Sequence, residues 1–216
     1  MTTPLIPSLA PLPALLMVTM EVPASLEEEF HDWYDTEHLP QRLAMPGFRS
    51  ASRWVCIDGW PRWMALYELD AADVLRSAAY RQVSGANSTP WSRRVLPRTV
   101  GRLRVTATAL EPGQVLPEAQ RISRLLAFSV PSSGGAEAAC TIVSELRAVL
   151  ENQDGFMRHR SFIEDAASGT EERLLWFLAA FDAPVTVTSI GRRLGRPGGR
   201  GIRHLNLYVP YRRSSY

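Results

Sequence analysis

The feature that most limits what this chain can fold into is a weak internal repeat, in which the two halves carry the same signals in the same order. Each half opens on an apolar strand-like stretch, Leu15-Leu16-Met17-Val18-Thr19-Met20 in the first and Leu125-Leu126-Ala127-Phe128-Ser129-Val130 in the second. A helical stretch follows, Ser25 to His38 and then, in the second half, Glu137 to Glu151. Ser25 stands three residues before Glu28, the spacing of a capping box. Both halves then reach a Gly-Phe pair that starts a second strand, Gly47-Phe48 and Gly155-Phe156. A third strand ends each time in Asp-Ala: Trp63 to Leu69 before Asp70-Ala71, and Leu174 to Phe181 before Asp182-Ala183. A helical or loop segment and a last strand, beginning at Gly101 or Gly201, close each half.

The order β-α-β-β-α-β, read twice, is that of the ferredoxin-like unit, an antiparallel sheet with both helices on one face. One such unit leaves its other face bare, and large bare apolar faces are unusual in monomers, whereas two units can cover each other. The expected fold is therefore α+β: ferredoxin-like repeats over 1–112 and 113–216, packed sheet to sheet as an intramolecular α/β barrel. Glu111 to Glu118, with Pro112, Gly113 and Pro117, reads as the tether between them.

Alternation in the closing strands bears on the barrel interior. Ile202, His204, Asn206 and Tyr208 share one face of the last strand, and Arg203, Leu205, Leu207 and Val209 the other. In the matching strand Arg104, Thr106 and Thr108 oppose Leu103, Val105, Ala107 and Ala109. If helices cover the aliphatic faces, the inward faces are partly polar, as in a ligand cavity.

Two of the four histidines lie in the segment Phe30-His31-Asp32-Trp33-Tyr34-Asp35-Thr36-Glu37-His38-Leu39-Pro40. At helical offsets of three, four and seven, His31, Tyr34, Asp35 and His38 share one face, beside an apolar stripe of Phe30, Trp33 and Tyr34. The residue before a proline is pushed out of α geometry, so the helix is expected to end near His38 and leave it at a terminus. An imidazole there, titrating ordinarily near pH ~6.5, suits general acid/base work oriented by Asp35 or Glu37, or a structural place at the helix end. Counting back from the shared glycine, His38 corresponds to Leu146 and Asp35 to Val143, so the second half lacks the polar cluster. One site per chain is expected.

Composition narrows the function classes. The 216 residues are 45% hydrophobic, ordinary for a globular protein, and the formal charge of +2 gives no chain-wide field for nucleic acid or membrane. All 24 basic residues are arginines. Arg192, Arg193, Arg196, Arg200 and Arg203 run through a Gly/Pro-rich stretch, which either holds an anion or is a solvated loop. The two cysteines, Cys56 and Cys140, form no framework or metal-ligand pattern. Met1 to Pro13 is proline-bearing without a leading basic residue, unlike a signal peptide, and no run approaches a membrane span, so a cytoplasmic protein is expected.

The segment from Phe30 to Pro40, with Arg42-Leu43 and Pro46-Gly47-Phe48, resembles the EthD-like branch of the dimeric α/β-barrel superfamily. The resemblance implies the barrel fold and a small-molecule substrate. Relatives act as cyclases, cofactor-free monooxygenases, isomerases or decarboxylases on polyketide-like and other small aromatic or cyclic molecules. It also implies a motif histidine facing the barrel cavity, here His38. Relatives are mostly single-repeat homodimers, so the duplicated chain leaves monomer and homodimer both open.

The leading expectation is a cofactor-free enzyme of secondary metabolism that carries out acid/base cyclisation, dehydration or isomerisation of a polyketide-like or cyclic carbonyl compound. His38, Asp35 and Tyr34 form the catalytic set, and His204, Asn206, Tyr208, Arg104 and His31 hold the substrate. The alternatives are a cofactor-independent monooxygenase and a metabolite-binding protein without activity. No metal is expected, since His31 and His38 are seven residues apart, too far for the usual i, i+4 pair. Some superfamily members bind haem through a barrel histidine, for which His159 and His204 are the candidates, but no haem motif accompanies them. No cofactor is expected, and the glycines at 195, 198, 199 and 201 do not form a nucleotide fingerprint.

Overall fold

The computed structural model describes residues 11–112, 116–133, 135–165, 173–195 and 201–213. Eight strands close into an antiparallel barrel in the order β1-β3-β2-β8-β5-β7-β6-β4. They are β1 (Ala14–Glu21), β2 (Phe48–Asp58), β3 (Trp63–Leu69) and β4 (Val100–Ala109), then β5 (Arg124–Ser132), β6 (Phe156–Glu164), β7 (Arg173–Phe181) and β8 (His204–Pro210). Strands β4-β1-β3-β2 form one ferredoxin-like sheet and β8-β5-β7-β6 the other, joined edge to edge where β2 meets β8 and β4 meets β6. Each seam joins the second strand of one half to the fourth strand of the other. Closure leaves neither sheet with a free edge.

The two halves agree most closely at their turns. Gly47 and Gly155 take positive φ values of 88° and 70°, and a Cβ at either position would collide with the Val74 side chain or with Ala183. The N–H groups of Asp70 and Asp182 each donate to the preceding glycine carbonyl, Gly47 and Gly155, at 2.9 Å. Both β2 and β6 then break register within two residues, between Phe48 and Ser50 and between Phe156 and Arg158.

The barrel interior is a packed core: Leu15 and Met17 from β1, Trp54, Met64 and Leu66, Val105 and Ala107, Phe162, Trp176, Leu178 and Tyr208 are all buried in it. This corrects the alternation expected for β4. Its aliphatic face, Val105, Ala107 and Ala109, turns inward, while Arg104, Thr106 and Thr108 turn toward the helix side. In β8 the expectation holds for Tyr208 inside and Leu207 outside, but Ile202 precedes the strand and packs outside with Leu205. The tether is more than a spacer. Residues 113–115, where the expected boundary between the halves falls, lie outside the described residues, but Leu116 is buried in the barrel core and its N–H donates to Glu68 Oε1 at 3.0 Å.

Helices cover both outer faces. In the second half α5 (Gly135–Glu151) and α6 (Val187–Leu194) bury Ile142, Val143, Leu146, Leu150, Ile190 and Leu194 on β5 and β7, where Phe128 and Phe177 stack at 4.8 Å. Arg192 and Arg193 belong to the last turn of α6, and 196–200 lie outside the described residues.

The first half is built differently. Helix α1 (Glu27–Trp33) starts without a side-chain cap, so the Ser25–Glu28 box is not formed. It does not end at His38 either. A π turn (Tyr34–His38) carries the chain into α2 (Leu39–Leu43), with the Leu39 N–H donating to the carbonyl of Tyr34 five residues back. The wider turn lets the helix pass Pro40, whose ring would otherwise meet the carbonyl four residues before it. Short helices α3 (Ala78–Arg81) and α4 (Pro90–Val95) complete this layer, α4 being capped by the Thr89 hydroxyl.

Candidate active site

The π turn divides the face that sequence spacing assigned to four residues. A π turn advances less per residue than an α turn, which swings His38 toward Tyr34 and away from His31 and Asp35. His31 and Asp35 face Arg53, on the outer side of β2. Arg53 is 6% exposed, its Nη1 donates to Asp35 Oδ1 and its Nη2 meets His31 Nδ1, both at 2.7 Å. Three rings surround its guanidinium: Phe30 at 5.5 Å, Tyr34 at 4.6 Å and Tyr211 at 4.1 Å. A groove of about 500 Å³ runs past Asp35, Arg53 and Tyr211 to the Leu116 end of the barrel. Its central charges neutralise one another, which suits anchoring better than reaction.

Tyr34 and His38 face a different space, a cleft of about 710 Å³ between the helices and the outer side of β1. Leu16, Val18 and Met20 form its floor, Trp33, Tyr34, His38 and Tyr67 its wall, and Tyr80, Ser84 and Ser88 its far side. Arg42, Arg93, Arg102 and Arg104 also line it, and among the described residues no carboxylate does. The cleft therefore lies outside the barrel, not in the barrel cavity where His38 was expected. The reason lies in the strands: Leu15 and Met17 of β1 with Val105, Ala107 and Ala109 of β4 fill the interior, while Leu16, Val18 and Met20 of β1 and Arg104 of β4 face the cleft.

The His38 ring is held by packing, 4.4 Å from Trp33 and edge-on to Tyr34 at 5.3 Å. Its Nδ1 is sealed in the wall and has no hydrogen-bond partner among the described residues, so Nε2 is the nitrogen left for a ligand. Neither expected carboxylate orients it, since Asp35 is held by Arg53 and Glu37 accepts a 2.5 Å hydrogen bond from the Thr89 hydroxyl. Burial, aided by the Arg42 charge, pushes the His38 pKa down to about 3. The imidazole is neutral across the physiological range, able to accept a proton and unable to act as a standing acid.

Arg42 sits one helical turn beyond His38, 6% exposed, with Nη2 donating to the Val83 carbonyl at 3.2 Å and the guanidinium over Tyr80 at 5.1 Å. Its charge favours the anionic form of its neighbours. Burial raises the Tyr34 pKa to about 12, opposed by Arg53, Arg42 and Arg102; burial raises Tyr67 further, again opposed by Arg42. The Tyr67 hydroxyl lies by that of Tyr34 and works against the rise of the Tyr34 pKa. Arg42 and Tyr67 were missed as site residues. For Arg42 the signal was present, an i, i+4 step from His38, but the rule that ends helices before proline concealed it.

His204, Asn206 and Tyr208 lie together in a third place, at one end of the barrel interior. The expected site is thus three places: Tyr34, His38 and Arg104 at the outer cleft, His31 and Asp35 around Arg53, and His204, Asn206 and Tyr208 inside the barrel.

No protein-family model matches the sequence, and no curated protein sequence matches it. Solved structures do match. An anthrone oxidase-like protein superposes with a TM-score of 0.62 at 11% identity, covering 93% of this chain and 92% of that one. A haem-binding protein from Thermus thermophilus superposes with a TM-score of 0.56 at 11% identity, again covering 93% and 92%. The chain has the dimeric α/β-barrel fold. Among the described residues no helix is long and apolar enough to cross a membrane.

Neither barrel histidine fits a haem iron. The His204 ring is stacked on Trp176 at 4.9 Å, with Nδ1 bound to the Ser129 hydroxyl, beside a space of only about 160 Å³. Ligand sites for larger molecules occupy roughly 300–1,000 Å³. His159 faces a shallow outer groove, where Arg147 Nε donates to its Nε2 at 3.4 Å.

Proposed function

We propose that this chain is an enzyme of small-molecule metabolism, related to the EthD-like branch, that removes a proton from an enolisable aromatic or cyclic ketone bound in the outer cleft. The observation that carries this reading is the electrostatics of the cleft: a neutral imidazole beside a buried arginine, in a wall without carboxylates. His38 Nε2 accepts the proton, and the enolate forms in the field of Arg42, with Arg102 and Arg104 farther along the wall. The imidazolium and the enolate then stabilise each other in a poorly solvated space. Tyr34, neutral with its raised pKa, donates a hydrogen bond to the developing oxyanion. The apolar floor and the Trp33 and Tyr80 rings match a flat, multi-ring substrate.

Dehydration has the least support among the fates open to such an enolate. Expelling hydroxide needs the imidazolium just formed to reach the leaving oxygen as well as the carbon it deprotonated, and no carboxylic acid among the described residues of the cleft can take that part. Return of the proton to another carbon, giving isomerisation or ring closure, needs only the imidazolium just formed. A second reading, cofactor-independent oxygenation, also begins with this proton transfer. The carbanion adds dioxygen, and the protonated hydroperoxide loses water to leave a carbonyl, dioxygen being the oxidant. The fold shared with an anthrone oxidase-like protein makes anthrone, a ketone whose enol is a phenol, a sensible first substrate.

Hydrogen–deuterium exchange at the acidic carbon of anthrone, followed by NMR in deuterated buffer without dioxygen, tests the proton transfer apart from its sequel. Catalysed exchange that falls ~10²-fold or more in a folded His38→Ala variant is the expected result. Binding without exchange would identify a carrier instead. Dioxygen uptake with the same substrate separates oxygenation from isomerisation.

A further inference from the structure

We infer that the barrel interior holds a second, separate binding site, for a small uncharged molecule that carries one aromatic ring and a hydroxyl group. The site is the space of about 160 Å³ at the end of the barrel by the β2–β3 hairpin. It is divided from the outer cleft by β1, whose Met17 and Thr19 face it and whose Leu16, Val18 and Met20 face the cleft.

Two polar groups in it are prepared for a ligand. Asn206 Nδ2 donates to the Tyr208 oxygen at 2.9 Å and to the Trp60 carbonyl at 3.1 Å, so the Tyr208 proton is free to be donated. Burial raises the Tyr208 pKa and keeps that proton in place. His204, held by its 2.7 Å contact with Ser129 Oγ and by the Trp176 ring, keeps Nε2 for a second contact. Burial lowers its pKa, with Glu164 opposing, so the ring is neutral. A hydroxyl both accepts and donates, so it satisfies Tyr208 and either tautomer of His204.

Size and charge fix the rest. Among the described residues no Asp, Glu or Arg lines the space, which selects against ions. An apolar cavity of about 150 Å³ accepts a benzene ring, so one ring fits and a fused system does not. The mouth is covered by Trp60, 60% exposed, which lies on Gly101 so closely that a Cβ there would come within 1.9 Å of the indole. An indole resting on a bare glycine, in a hairpin tip, is a cover that can lift without unpacking the core.

The test is 19F NMR titration of the protein with 4-fluorobenzyl alcohol, with circular dichroism to verify that each variant is folded. Saturable binding is expected, kept in His38→Ala and weakened about tenfold in Tyr208→Phe, which retains the ring and loses only the donor. Ala127→Leu, which fills the space, should abolish it if folded. Absence of saturable binding, undiminished binding in Tyr208→Phe, or loss of binding in His38→Ala overturns the inference.

Discussion

Arg53 donates to His31 Nδ1 at 2.7 Å, and because a guanidinium has no acceptor, this contact fixes the histidine as the Nε2–H tautomer. His31 is thereby a partly buried acceptor that ties the motif helix to the outer face of β2. The Tyr211 N–H donates to the Arg53 carbonyl at 2.9 Å and the Tyr211 ring stacks on His31 at 4.8 Å, so the end of the second half straps the same helix. Replacing Arg53 by Met should cost about 2–3 kcal/mol, the Asp35 carboxylate being partly solvated and so only partly stranded. Arg53→Lys should rescue little, since one ammonium cannot fork between Asp35 and His31. Chemical denaturation measures both.

Acid should unfold this protein through its histidines. Burial and Arg53 lower the His31 pKa to about 4, and burial and Arg42 lower His38 to about 3. Both lie below the unfolded value of 6.5, so between these limits the unfolded chain binds more protons than the native one. Stability is full above about pH 6.5 and is lost as pH falls toward 3–4, by about 1.4 kcal/mol for each pKa unit lost. The slope of Tm against pH over that window should flatten in His38→Gln. An unchanged slope would mean that His38 titrates normally.

Activity should show no inflection near pH 6.5 on the His38 limb, because the free enzyme already carries a neutral imidazole there. A rate profile of kcat/KM for deuterium exchange between about pH 5 and 8 reads this directly. A limb that follows the ordinary histidine pKa would place the working base elsewhere.

Arg42→Gln should separate the field of Arg42 from its structural contact with Val83. The exchange rate is expected to fall about tenfold to a hundredfold with a smaller change in KM, and the His38 pKa should rise. A phenolate inhibitor should lose affinity while its uncharged methyl ether keeps it. Equal loss for both would assign Arg42 to the support of the 78–89 segment alone.

Gly47→Ala and Gly155→Ala should destabilise to similar degrees, by about 1–3 kcal/mol each, as their positive φ and crowded Cβ positions match. Thermal unfolding of the pair tests whether the two halves share a turn energetically as they do in shape.

Sequence alone determined the repeat, the eight strands, the Gly-Phe turns, and that the polar cluster exists in the first half only. These follow from local rules: apolar runs of strand length, glycine where φ is positive, and proline-bearing connections. It placed Phe30, Trp33 and Tyr34 correctly on a buried stripe. Tertiary structure decided which side of each sheet a residue faces, and hence that His38 looks onto an outer cleft and His204 into the barrel. Strands covered on both faces lose the alternation that would reveal sidedness; β3 is buried at every position from Trp63 to Leu69. The passage of the helix through Pro40 was likewise hidden, since a local rule ends a helix there and only packing against β1 and β2 stabilises the wider turn. The partners of Arg53 come from two distant parts of the chain, the 30–35 segment and Tyr211, and spacing carries no record of them.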